Sequence, residues 1–395
     1  MIILGPLFPE EREQEILSAS RHGVSNAANN FQWNLIKGIH ANTDEPLIVI
    51  NALPVGTWPK NFKIFRLKDT DWSCGNIVGH EVGCWNIPLV KQFIRMRKVR
   101  AWLKKYPHES ELLIFTAYLP FLWAVNKLKP EYRVTAVITD IPEFYDMNQV
   151  SAFRRLLRRI HCKIVYHFMK RVDRFVLLTE QMAIPLHVGS RPYLVMEGMC
   201  ADAAAEMTVP KAQKFSVLYT GRLNRRYGLE LLLQAVKEWQ DTDVELWLCG
   251  SGEMEEEIRS YAAQDPRIRF FGFLPHEETV RLQRQATVLV NPRTNQGEYT
   301  KYSFPSKTME YMASGRPVMM FRLDGMPEEY DAFLTYIPEE SAESVRNTMR
   351  SLKERDPAEL DAIGARGREF VLKNKNRNVQ MQRVLDFINE GRRNA

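Results

Sequence analysis

At 395 residues the chain is long for a single hydrophobic core, and two domains of about 200 residues each are expected. Its 45% hydrophobic and 26% charged residues are those of an ordinary globular protein and exclude a disordered chain or a repeat array. The net charge of +6 is modest, and five scattered cysteines without C-x-x-C spacing argue against a zinc site or a disulfide framework and for a reducing compartment.

Taken in chain order, "MIILGPL" reads as a first strand, with an apolar run too short for a signal peptide. No stretch approaches the roughly 18 uninterrupted apolar residues of a membrane span, so a cytoplasmic location is expected. "AANNFQWNLIKGIHA" reads as the following helix, and "PLIVINAL", "NFKIFRL", "ELLIFTAYL" and "RVTAVITDIP" as strands, with the basic helix "LVKQFIRMRKVRAWLKKY" among them. Segment 151–175 has apolar residues at helical spacing (Phe153, Leu156, Leu157, Ile160, Ile164) flanked by Arg154, Arg155, Arg158 and Arg159. Such a helix can lie on an anionic inner-membrane surface, or simply pack with a solvated basic face. Nucleic acid is disfavoured, because no base-stacking aromatics are regularly interleaved with the charges.

"RVDRFVLLTEQM" is a further strand, and "VMEGMCADAAAEMTVPKAQKF" reads as an interdomain crossing. The alternation then restarts with "FSVLYTG", "VELWLCGSG", "IRFFGFLP", "TVLVNP" and "RPVMMF" as strands separated by helices. The fold class is α/β: two doubly wound Rossmann-like domains, residues 1–200 and 201–374, facing a cleft, with helix 375–395 returning to the first. Ligands of such sheets bind beyond the carboxyl ends of the strands.

Three junctions carry candidate chemistry. In "YTGRLNRRYG", Gly221 lets a backbone approach closely, and Arg222, Arg225 and Arg226 stand near a helix start, the pattern of a phosphate site. A solvated basic loop is the equal alternative. The pattern is neither G-x-G-x-x-G nor a Walker motif, and no dinucleotide fingerprint follows the first strand, so a dehydrogenase is poorly supported. Gly250 in "LCGSG" and Gly272, Phe273 and Leu274 in "FFGFLP" make turns at strand ends where a flat base could lie. In "YSFPSKTMEYMASG", Pro305 suits a helix start, Ser306 and Lys307 sit beside free amides, and Glu310, one turn in, can accept bonds from vicinal hydroxyls such as a ribose presents. Acceptor-side candidates are weaker: His22 as a base, and Tyr118, Asp140 and Glu143 at strand ends, each equally readable as a cap or turn residue.

Together these stretches resemble, in order and spacing, family 4 glycosyltransferases of the GT-B fold, chiefly over residues 215–385, and most closely those of bacterial exopolysaccharide, capsule or O-antigen assembly. The resemblance implies retaining transfer of a sugar from a UDP- or GDP-sugar to a glycan or lipid-linked acceptor, with no metal and no cofactor. It implies catalytic Arg222 and Lys307, a diphosphate site of Gly221, Arg222, Arg225, Arg226, Ser306 and Lys307, and ribose at Glu310. The family's usual lysine falls at Tyr227, and its usual donor-sugar carboxylate at Tyr302, next to Ser303. A catalytically silent nucleotide-sugar scaffold and an enzyme with a soluble acceptor are the alternatives.

Overall fold

The computed structural model describes residues 1–21, 26–106, 111–128, 132–144, 152–200 and 209–393. Two compact units divide the chain: Met1–Glu197 with Arg377–Ala395, and Gly198–Asn376.

The strands of the first unit are β1 (Ile2–Gly5), β2 (Leu47–Asn51), β3 (Thr70–Cys74), β4 (Ile77–Glu81), β5 (Glu111–Phe115), β6 (Arg133–Ile138), β7 (Arg174–Leu177) and β8 (Tyr193–Val195). They form one sheet in the order β3-β4-β2-β1-β5-β6-β7-β8. Its pairs are parallel except β3 with β4, an antiparallel edge hairpin turned at Gly75–Asn76. The helices are α1 (Glu13–Ala19), α2 (Asn26–Ala41), α3 (Val90–Leu103), α4 (Leu119–Asn126) and α5 (Ala152–Met169). The central strands are buried along their length, as hydrophobic runs covered on both faces must be.

One expected strand is absent. "NFKIFRL" makes only isolated bridges, Phe62 with Ser20 and Arg66 with Trp85. Its two ends pair with different neighbours, so no continuous ladder forms; the edge strands instead come from the next segment, residues 70–81.

In the second unit β9 (Phe215–Arg222), β10 (Val244–Ser251), β11 (Ile268–Gly272), β12 (Val288–Asn291), β13 (Val318–Phe321) and β14 (Thr335–Ile337) form a parallel sheet in the order β11-β10-β9-β12-β13-β14. Its helices are α6 (Leu229–Lys237), α7 (Glu255–Gln264), α8 (His276–Gln285), α9 (Ser306–Ala313), α10 (Ala342–Lys353) and α11 (Pro357–Asn374). The twofold period of the strands divides the core. Val217, Leu246, Leu248, Val288 and Met319 meet Leu232 and Leu233 of α6 and Val345 of α10 on one face. Leu218, Trp247, Leu289 and Met320 meet Leu282 of α8 and Met309, Tyr311 and Met312 of α9 on the other. This places α8 and α9 on the same face, with the start of α9 at the strands' carboxyl ends.

After α11 the chain re-enters the first unit as α12 (Arg377–Arg393). Gly38 of α2 permits the approach: a Cβ there would lie 2.6 Å from Met381 Cγ and 2.7 Å from Arg377 O. Asn42 adds a bond from Nδ2 to Asn378 O at 2.8 Å.

Candidate active site

The carboxyl end of β9 is built by a buried phenol. Tyr311 of α9 has no exposed surface; its Oη accepts the Thr220 N–H at 2.8 Å and donates to Thr220 O at 2.9 Å. Burial drives its pKa upward and keeps it a neutral donor. The strand end is thereby fixed, and Gly221 follows with φ 136°. The next strand, β10, comes equally close: a Cβ on Gly250 would lie 1.7 Å from Gly221 O. Only glycine fits both positions.

Lys307 extends from the first turn of α9 across Gly221, its Nζ 2.6 Å from where a Gly221 Cβ would stand. Pro305 precedes the helix and no side chain caps it, so its first amides are available to an anion. Glu310 lies one turn further along. Its Oε1 accepts a bond from Gln283 Nε2 at 2.6 Å, and the same amide reaches Thr220 Oγ1 at 3.2 Å.

These groups open on a cavity of about 370 Å³ within the second unit, lined among others by Gly221, Arg222, Gly250, Phe273, Leu274, Lys307 and Glu310. Phe273 is 78% exposed, an apolar ring available for stacking. Thr220, Cys249, Ser251, His276 and Thr279 complete the lining. None of the five was singled out in sequence, nor was Gln283, which reaches Glu310 from 27 residues away. No local spacing signals such a contact; only the packing of α8 beside α9 creates it.

The remaining donor-side candidates lie outside this lining. Arg225 is turned to the carboxylates of Glu230 and Glu257, which neutralise it, and its N–H donates to Glu253 Oε1 at 3.1 Å. Arg226 is steadied by Asn224 Oδ1, which accepts its backbone N–H at 3.1 Å and its Nε at 3.2 Å. Ser306 heads α9 and is exposed. Gly272 has φ 68° with open space around it. Tyr302 is buried and donates to Glu298 Oε1 at 3.2 Å, with Lys301 over its ring at 5.1 Å. Ser303 Oγ accepts a bond from Arg293 Nη2 at 2.8 Å.

In the first unit, Tyr118 follows β5, and its hydroxyl donates to Gln92 Oε1 at 2.9 Å and accepts from Arg95 Nη1 at 2.8 Å. Asp140 and Glu143 follow the adjacent strand β6. Desolvation raises the Asp140 carboxyl above its usual range, against a bond from Thr139 Oγ1 at 2.9 Å, and Glu143 accepts from Tyr166 Oη at 2.6 Å. Parallel order thus puts all three at the carboxyl end of the sheet. His22 lies outside the described residues.

Helix α5 is packed on one side, and its arginines Arg154, Arg155 and Arg159 are exposed. It packs through Cys162, Val165 and Met169. At 3.6 residues per turn, Phe153, Leu156, Leu157, Ile160 and Ile164 form a second stripe on roughly the opposite side. Those five are 40–67% exposed. Arg154 and Arg159 stand about 100–120° round the helix from the centre of that stripe, and Arg155 and Arg158 lie farther round, toward the packed side.

Two parallel-sheet α/β units, one with an anion-ready strand end and helix start, define the architecture of the GT-B glycosyltransferases. Residues 214–354 match the family model described as Glycosyl transferases group 1, so the second unit carries that family's domain. The chain is 28% identical over 175 residues to the D-inositol 3-phosphate glycosyltransferase of Corynebacterium efficiens, 42% of this chain and 38% of that one. It is 25% identical over 184 residues to the putative colanic acid biosynthesis glycosyltransferase WcaL of Escherichia coli K12, 45% of each chain. It therefore matches less than half the length of either relative. Among solved structures, Anabaena HepE in complex with UDP superposes with a TM-score of 0.64 at 13% identity, covering 99% of this chain and 100% of that one.

Proposed function

We propose that this chain is a retaining, metal-independent glycosyltransferase that moves a sugar from a nucleoside-diphosphate sugar to a glycan or lipid-linked acceptor in bacterial surface polysaccharide synthesis. The observation that carries the reading is the convergence of Lys307, the open start of α9 and Glu310 on one cavity at the end of β9. The colanic acid enzyme supports the biosynthetic setting, and the UDP complex supports a nucleotide donor.

In this reading the diphosphate lies against Gly221 with Arg222, Lys307 and the α9 amides around it. Glu310, oriented by Gln283, accepts bonds from the ribose hydroxyls, and the base stacks near Phe273 and Leu274. As the bond from the sugar C1 to the β-phosphate oxygen breaks, negative charge gathers on the phosphate, and these preorganised cations and dipoles stabilise it. The acceptor oxygen bonds to C1 on the same face and gives its proton to a leaving phosphate oxygen, so no protein base is needed. Tyr118, Asp140 and Glu143 would hold the acceptor.

The exposed stripe of α5 and its arginines support docking on an anionic bilayer, where a lipid-linked acceptor resides; each basic group adds about 1 kcal/mol near such lipids. No described helix is long and apolar enough to cross a membrane.

The test is a thermal-shift screen with UDP and GDP, followed by assays with labelled UDP- and GDP-sugars. A ligand at one hundred times its Kd stabilises by about 2.7 kcal/mol. Slow hydrolysis or transfer supports the enzyme. Binding without turnover supports the silent scaffold, a reading that the absence of a carboxylate at Tyr302 favours.

A further inference from the structure

Arg293 follows β12, the strand beside β9, and is only partly open to solvent. Its Nη2 donates to Ser303 Oγ at 2.8 Å and its guanidinium lies 5.3 Å from the Tyr299 ring centroid. Its Nε is sealed from solvent with no hydrogen-bond partner among the described residues. The ionisable groups that face it are Tyr299, Tyr227 and a second cation, Arg226, and desolvation lowers its pKa. No described carboxylate pairs with either arginine. Three other arginines of this unit are neutralised by described carboxylates: Arg225 by Glu230 and Glu257, Arg267 by Asp265, Arg316 by Asp361. Glu298, the acid of this loop, is engaged by Tyr302 and Lys301 instead.

A desolvated guanidinium without a counter-ion costs several kcal/mol. That cost is offset when a ligand supplies the anion, and a planar guanidinium suits a carboxylate. Strand order says which part of a ligand would supply it. The proposed base end lies after β11 and the diphosphate end at β9, so the next position along the sheet is β12 and Arg293. The two loops touch there, since a Cβ on Gly228 would lie 2.0 Å from Pro292 O. The phosphates already have Arg222, Lys307 and the start of α9.

We infer that Arg293, with Arg226 beside it, recognises the carboxylate of an anionic donor sugar, making this a site for a nucleoside-diphosphate hexuronate. This rests on the donor-site reading given above.

Calorimetric titration of the full chain with matched pairs tests it: UDP-glucose against UDP-glucuronate, GDP-mannose against GDP-mannuronate, and UDP and GDP alone. For the nucleotide that binds, the uronate should bind at least about tenfold tighter than the neutral sugar, as a charge-assisted pair implies. Arg293→Gln should bring the pair within about twofold while leaving the free nucleoside diphosphate unchanged, and Arg293→Lys should keep part of the preference. Equal affinity for both members in the unaltered chain overturns the inference and leaves the donor site standing. Equal loss of the free diphosphate and the uronate in Arg293→Gln also overturns it, since the arginine would then serve phosphate. Failure to bind either nucleotide overturns the donor site and this inference together.

Discussion

Lys307 lies across Gly221 so closely that a methyl group on the glycine would stand 2.3 Å from Lys307 Cε. The cation of one element and the bare backbone of another thus occupy one point at the end of β9. Gly221→Ala would displace the lysine and strain a residue at φ 136°, a conformation that costs a non-glycine residue about 1–3 kcal/mol. The expected outcome is a folded protein, less stable by that order, whose UDP or GDP thermal shift is largely lost. Lys307→Gln should leave melting unaltered without ligand and lower kcat by about 10²–10³, the loss typical for one preorganised charge-stabilising group. Undiminished turnover would remove Lys307 from the mechanism.

Gln283 spans Glu310 and Thr220, and Gln283→Leu leaves Glu310 without its orienting donor. Affinity for the nucleoside diphosphate should fall by roughly tenfold, about 1.4 kcal/mol, and discrimination against the 2′-deoxy nucleotide should shrink with it. Calorimetry with UDP and 2′-deoxy-UDP, or the guanosine pair, measures both. If affinity falls while discrimination persists, Gln283 acts on the fold and not on ribose recognition.

Tyr311→Phe removes a hydroxyl that serves both the N–H and the C=O of Thr220 in a fully buried site. Two backbone groups lose their partner, and a cost of about 1–3 kcal/mol follows. Urea unfolding should show a lower midpoint with an unchanged slope.

Helix α5 offers a test that separates charge from apolar surface. Replacing Arg154, Arg155, Arg158 and Arg159 with Glu should abolish sedimentation with phosphatidylglycerol vesicles. Replacing Leu156, Leu157 and Ile160 with Ser should weaken it without changing stability, because those side chains are already 46–54% exposed. Unchanged sedimentation in both variants would exclude membrane docking through this helix.

Lys91 of α3 is buried, with Nζ donating to Val55 O at 2.5 Å, and desolvation, aided by Arg95, draws its pKa down to about 7. Its ordinary value is 10.5. Between those values the unfolded chain binds more protons than the folded one, so this residue makes stability rise with pH from about 7 upward; below 7 both states are protonated and the full penalty stands. Lys91→Met should flatten that slope in urea midpoints between pH 7 and 9 and raise stability at pH 6 by about 1–3 kcal/mol, after allowing for the lost bond to Val55. A slope equal in both proteins would assign the pH dependence elsewhere.

Local pattern was enough to read the alternation of strands and helices, the exposure of Gly221 and Arg222 at a strand end, and the placing of Ser306, Lys307 and Glu310 in the first turn and a half of one helix. Hydrophobic period, glycine freedom and helix spacing act within a few residues of each other, so sequence alone carries them. The hairpin at residues 70–81 was legible too, through Gly75–Asn76, a turn signal the strand reading of "NFKIFRL" passed over. The rest depends on which surfaces meet. Arg225, Arg226 and Arg293 are equivalent letters in sequence; only packing gives Arg225 the carboxylates of Glu230 and Glu257, while among the described residues none pairs with Arg226 or Arg293. The same holds for Gln283 against Glu310 and for the stripe of α5 that is buried. Each is a contact between segments far apart in the chain, chosen by the burial of other side chains, and local residue order carries no record of that choice.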